Sequence, residues 1–130
     1  MKNQPEVNGL ALLKLEFNVF PSDNATETDL NVKINTSTDE IGNSVISLIW
    51  DISLELESIF KVRAEYDMLV SKGKNHINDL ERLTYEVSYP VLAEFSMLVG
   101  TLTKSMGMIP LVLDTNELSE LGGLLDTSRK

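Results

Sequence analysis

The chain has no cysteine in its 130 residues, which excludes a disulfide framework, a thiolate metal site and a cysteine nucleophile. It has a single histidine, His76, set beside Lys74 and Asn75 in a loop or helix start, so histidine-based metal clusters and base-assisted nucleophiles have nothing to build on. Basic residues are scarce as well: 11 Lys and Arg stand against 20 Asp and Glu, a net charge of −9. Phosphate recognition needs clustered cations, so nucleic acid is excluded as a partner, whereas basic proteins are not. The charge also keeps an apolar-rich chain in solution. No apolar run approaches the roughly 18 residues of a membrane span, and the opening Met-Lys-Asn-Gln-Pro-Glu-Val does not read as a secretory leader. A soluble cytoplasmic protein is therefore the expectation, and the sequons at Asn24 and Asn35 are read as chance. There is no glycine-rich phosphate loop, and serines and threonines lack a partnering base. Neither a cofactor, a metal nor a catalytic residue is expected.

What the chain does contain is a period-two apolar stripe. From Ile46 it runs through Leu48, Trp50, Ile52, Leu54 and Leu56, then resumes in phase with Phe60, Val62, Ala64, Tyr66, Met68 and Val70. Polar residues such as Asp51, Glu55, Lys61, Arg63, Glu65 and Asp67 fill the alternate positions. This is the signature of strand with one face buried. One unbroken strand of that length would approach about 80 Å at roughly 3.3 Å per residue, so the stripe must fold back near Glu55–Ser58 into a long antiparallel hairpin. The outward carboxylates Asp51, Glu55, Glu57, Glu65 and Asp67 could bind a hard cation or act as an acid–base pair. Cross-strand pairing with Lys61 and Arg63 is the simpler reading.

Residues 1–8 read as a loose terminus. Leu13, Leu15, Phe17 and Val19 alternate with polar residues as a first strand ending before Pro21. Leu30, Val32 and Ile34 form a second, shorter one, and Asp39–Ser44 reads as a turn. After Val70 the period changes. Ile77, Leu80, Leu83, Tyr85 and Val87 indicate a short helix. Beyond Pro90, the spacing of Val91, Leu92, Phe95, Leu98, Val99, Leu102 and Met106 predicts a firm amphipathic helix, stopped by Gly107. The segment before Gly122 and Gly123 reads as a last short helix, and residues 122–130 as a loose end. The expectation is one α+β domain over 1–130: a four-stranded antiparallel sheet with a long carboxy-terminal helix packed on one face. Met97 and Met106 are read as ordinary packing. One helix cannot cover the whole apolar face, so part of it must meet another subunit or a ligand.

The order of elements resembles SecB, the chaperone of bacterial protein export, and its relatives. The similarity lies in Tyr89-Pro90 at the helix start, the run through Leu102, and the exit Ser105-Met106-Gly107-Met108-Ile109-Pro110-Leu111-Val112-Leu113. Leu30-Asn31-Val32-Lys33-Ile34-Asn35-Thr36 looks like the family's crossover segment, and residues 45–70 look like its central strands. The resemblance implies an ATP-independent holdase that binds non-native polypeptides in apolar grooves and assembles as a homotetramer through the helix from Pro90 to Gly107. By the same resemblance the polypeptide-binding residues are Leu30, Val32, Ile34, Trp50, Ile52, Leu118 and Leu121, with core burial the alternative for each. Lys61 and Arg63 interrupt the acidic outer face that family members offer to the SecA motor, and the tail lacks a metal-binding Cys or His. Handover to SecA is thereby left open. The alternative function is a non-catalytic adaptor with one dedicated partner, as in SecB-like proteins associated with toxin–antitoxin systems.

Overall fold

The computed structural model describes residues 6–19, 29–40, 45–56, 59–71, 80–107 and 111–124. The alternating segments form β1 (Glu6–Val19), β2 (Leu30–Glu40), β3 (Val45–Leu56) and β4 (Phe60–Ser71). They make one antiparallel sheet in the order β1-β4-β3-β2. The long stripe does fold back. The Ile59 N–H donates to the Leu56 carbonyl at 2.9 Å, and Leu56 faces Phe60 across the ladder. This register places every residue of the stripe on one face, where Trp50, Phe60 and their neighbours are fully buried, and leaves Val45, Ile49 and Leu69 on the other. Each large side chain so buried stabilises the fold by roughly 1.5–3 kcal/mol.

Two strands run longer than their alternation suggests. β1 starts at Glu6, so Glu6 and Val7, expected in a loose terminus, pair with Ser71 and Val70. β2 continues through Glu40, and Thr36–Asp39, partly read as a turn, pairs with Trp50–Ser47. An available partner strand outweighs weak local turn chemistry. β1 also changes phase. Leu12 faces Tyr66 while Lys14 faces Glu65, so Leu13 has no partner of its own. This bulge, with a second register shift between Val7 and Gly9, places Val7, Leu10 and Leu12 on the core side before it, and Leu15, Phe17 and Val19 after it. The expectation that Leu13 shares a face with Leu15 is therefore corrected.

The helical layer comprises α1 (Leu80–Glu86), α2 (Ser88–Ser105) and α3 (Thr115–Leu121). Pro90 separates the first two: it has no N–H to give the Glu86 carbonyl, yet it sits in the first turn of α2, where no intrahelical donor is required. Val91, Leu92, Phe95 and Val99 carry the buried face of α2 onto the sheet. Gly107, at φ +81°, takes the left-handed conformation that ends the helix. The exit segment is clasped back to α2. Leu111 N–H donates to Thr103 Oγ1 at 2.8 Å, and Ser96 Oγ donates to the Leu113 carbonyl. Asp114 and Glu117 then form a reciprocal capping box that opens α3. Ile77 and His76 lie outside the described residues.

Candidate polypeptide-binding surface

The register arranges the core-side residues in rows across the sheet. Leu30, Leu56, Phe60 and Val19 form one; Val32, Leu54, Val62 and Phe17 the next; then Ile34, Ile52, Ala64 and Leu15; then Thr36, Trp50, Tyr66 and Leu12. The middle of the rows is sealed except at the half-buried Leu56, with Trp50, Ile52, Leu54, Phe60, Val62 and Ala64 fully buried. The ends lie on the two edge strands and differ.

On the β2 edge, Leu30 and Ile34 are half-buried and Val32 is nearly covered. The cover over Ile34 is the end of α3. A Cβ built on Gly122 would stand 2.3 Å from Ile34 Cδ1 and 2.6 Å from Cγ1, so only the absence of a side chain allows this approach. Leu118, one turn earlier, is fully buried, while Leu121 is exposed. Of the seven residues inferred from the resemblance, the structure gathers Leu30, Val32, Ile34 and Leu118 along the β2–α3 seam. Trp50 and Ile52 sit in the core beneath, and Leu121 stands on the outer side of α3. The Trp50 Nε1 has no hydrogen-bond partner among the described residues.

The β1 edge has the larger uncovered surface. Leu12, Leu13, Leu15 and Val19 are 48%, 57%, 40% and 53% exposed. No helix packs extensively on this strand; α2 meets β4, and α3 meets β2. Met97, read from sequence as packing, stands out from α2 at 68% exposure, whereas Met106 does pack on the core. Sequence reading missed the β1 strip. The signal was present in the doublet Leu12-Leu13, which breaks the alternation where the bulge occurs.

The opposite face of the sheet carries Val45, Ile49 and Leu69 at one end and is polar and internally paired around Asp51 and Arg63. Arg63 grips Asp51 with two hydrogen bonds, Nε to Oδ1 at 3.0 Å and the terminal nitrogen to Oδ2 at 2.7 Å. Arg63 also approaches Glu65 at 3.8 Å, Lys14 meets Glu16 at 2.9 Å, and Ser47 Oγ donates to Asp67 Oδ1 at 2.6 Å. The hydrogen bonds from Arg63 hold the Asp51 carboxyl below its ordinary value, outweighing the opposing effect of burial. Among the described residues no group of three or more carboxylates or histidines is arranged to hold a metal ion. On the core side, burial and then the nearby Glu94 carboxylate push the Tyr66 phenol up to about 12, so it stays protonated.

No family model matches the sequence, and no curated protein matches it either. Solved structures do. A Mycobacterium tuberculosis SecB-like chaperone, determined in complex with a ChAD peptide from the HigA1 antitoxin, superposes with a TM-score of 0.63 over 85% of this chain and 90% of that one, at 15% identity. The fold is that of a SecB-like chaperone. A protein of unknown function from Streptococcus agalactiae is also similar, with a TM-score of 0.53, 10% identity, and coverage of 85% of this chain and 97% of that one. The SecB-like fold accounts for the layer order found here, a four-stranded antiparallel sheet under a long helix. Among the described residues no helix is long and apolar enough to cross a membrane.

Proposed function

We propose that this protein is an ATP-independent holdase of SecB-like type, which binds unfolded or non-native polypeptides through apolar surface at the two edges of its sheet. The observation that carries the reading is the β1 strip, where Leu12, Leu15 and Val19 stand exposed on one face of the strand in a chain with a net charge of −9. A segment of non-native polypeptide laid on such a surface gains roughly 25 cal/mol per Å² of apolar area removed from water, offset by the cost of ordering the client. The β2–α3 seam, with the half-buried Leu30 and Ile34, supplies a second stretch. No nucleotide or metal is needed, because binding rests on burial. A holdase of this kind acts in the cytoplasm, on chains not yet folded or exported.

A bare 14-residue edge strand with exposed leucines also invites self-association. The protein is accordingly read as a closed homo-oligomer, a tetramer, in which the free backbone edge of β1 and the outer side of α2 around Tyr89 and Met97 supply contacts, the core-side leucines of β1 being left to the client. Weak client contacts on several subunits then add through effective concentration. Handover to SecA is left out of the proposal, since Arg63 neutralises the centre of the outer sheet face.

The second reading, a dedicated adaptor, is favoured by the similar M. tuberculosis chaperone being bound to an antitoxin peptide. Client breadth separates the two. The purified protein should slow aggregation of several chemically denatured, unrelated proteins without ATP, and a hydrophobic dye should compete more strongly than salt. Absence of protection at several-fold molar excess over every client would remove the holdase reading in favour of the adaptor.

A further inference from the structure

Asn8 and Gly9 form the chain's single Asn-Gly pair, and the structure sets it near the start of β1. Glu6 faces Ser71 and Val7 faces Val70, but the next pair joins Gly9 to Leu69, so Asn8 has no partner residue on β4. Asn8 is exposed. Its side chain turns toward β4, where Nδ2 donates to Ser71 Oγ at 2.6 Å. Gly9 brings no side chain to shield its own nitrogen, and a Cβ built there would meet nothing nearer than Leu69 Cδ1 at 3.9 Å. A register shift close to the start of an edge strand is also where the ladder is weakest, and strand ends open locally at little cost in free energy.

Exposure, an unshielded following nitrogen and a weak ladder are what an asparagine needs to react with its own backbone. We propose that Asn8–Gly9 is a site of spontaneous deamidation and isomerisation in the folded protein. The Gly9 nitrogen gives its proton to solvent and attacks Asn8 Cγ. The N–Cγ bond forms, the Cγ–Nδ2 bond breaks, and Nδ2 leaves as ammonia with a proton from water. Water then adds to one of the two carbonyl carbons of the resulting cyclic imide and opens the ring. Opening at Cγ gives aspartate; opening at the main-chain carbonyl of residue 8 gives isoaspartate. No electrons are transferred, and water is the one co-reactant. The hydrogen bond to Ser71 restrains the reaction, because Nδ2 must leave its acceptor before it is expelled. Both products place a new negative charge beside the Ser71 hydroxyl. Isoaspartate also carries the main chain through the side-chain carbon, one atom longer. Val7, which packs on the core and faces Val70, then loses its register together with Glu6. Modification at Asn8 thereby releases the first residues of β1 from the sheet. The inference is independent of the polypeptide-binding reading, since it uses only groups on β1 and β4.

The test incubates the full-length protein in mildly alkaline buffer, native and in denaturant, and follows it by peptide mapping with mass spectrometry that separates aspartate from isoaspartate. In the native samples Asn8 should convert ahead of Asn18, Asn31, Asn35 and Asn116, with isoaspartate the larger product. Conversion of Asn8 in denaturant but not in the native protein overturns the proposal, because the fold then protects the site. Hydroxylamine, which cleaves the chain at the imide, reads the route in the unaltered protein: fragments ending at residue 8 support it, and their absence overturns it. Gly9→Ala, checked by its melting curve to be folded, should slow conversion severalfold, and Ser71→Ala should speed it. An unchanged rate in folded Gly9→Ala overturns ring closure, and an unchanged rate in Ser71→Ala overturns the restraint. The isoaspartyl form, separated by its charge, should exchange the Val7 amide hydrogen faster than the unmodified protein does, with Val62 unaltered. Equal exchange at Val7 overturns the release of β1.

Discussion

Gly122→Ala is the sharpest test of how α3 is seated. Gly122 has φ −83° and ψ −3°, a conformation alanine adopts without strain, so the backbone cannot be the source of any effect. In the unfolded chain, alanine has less freedom to lose than glycine and would stabilise the protein by about 0.4–1 kcal/mol. Opposing this, the new methyl would stand 2.3 and 2.6 Å from Ile34 Cδ1 and Cγ1, and 3.1 Å from the Leu118 carbonyl oxygen. Contacts of that kind need about 3.5–4 Å, so either Ile34 leaves its rotamer or the end of α3 lifts. Overpacking of this type costs about 1–3 kcal/mol. The net expectation is a loss of about 1–2 kcal/mol, read as a lower urea midpoint with unchanged slope. The control is Ile34→Ala, which removes both clashing carbons. Ile34 is only half-buried, so its truncation should fall below the 2–5 kcal/mol of a sealed core position. The double variant should then be more stable than the sum of the two losses by about 1 kcal/mol or more. A neutral Gly122→Ala, or strictly additive losses, would refute the claim that α3 reaches the sheet through this glycine.

The seam predicts a split between neighbours: Ile34→Ser should weaken client holding with little change in melting temperature, whereas Val32→Ser, nearly covered at 8% exposure, should lower it clearly. Equal melting losses would place both in the core. On the other edge, Leu13→Glu with Leu15→Glu should cut both the mass seen by light scattering and aggregation suppression, at less than about 1 kcal/mol of stability, since both residues are exposed; an unchanged mass and unchanged holding would show that β1 is not used. The Tyr66 phenol, pushed up to about 12 in the folded protein, binds its proton more tightly there than in the unfolded chain. Its contribution is thus complete below the ordinary tyrosine value and is lost as pH rises from there toward 12. Denaturant titrations at rising alkaline pH should show that loss, and Tyr66→Phe should reduce it; an unaltered pH dependence would contradict the burial.

Some of this was written in the order of residues alone. The unbroken phase from Ile46 to Val70 sets two strands, the face each residue takes, and the hairpin that keeps that face common, because strand periodicity is fixed by backbone geometry at each step. The spacing from Val91 to Met106, bounded by Pro90 and Gly107, fixes α2 in the same way, and the outward Arg63 found its carboxylate partner in Asp51, as the pattern implied. Tertiary structure decided what lies across the sheet rather than along the chain. The doublet Leu12-Leu13 breaks the alternation in the chain, but which residue goes without a partner appears only once β1 is laid against β4. Whether an apolar residue is core or accessible depends on where a helix lands: the sheet centre seals Trp50 and Ile52, α3 half-covers Ile34 through the gap at Gly122, and among the described residues no helix packs extensively on β1. A recess between α2 and α3 likewise joins Ser88 to Ser119, residues too far apart in the chain for any local pattern to relate. Alternation is a property of successive residues and is legible in them; coverage is a property of distant segments brought together, and only the fold assigns it.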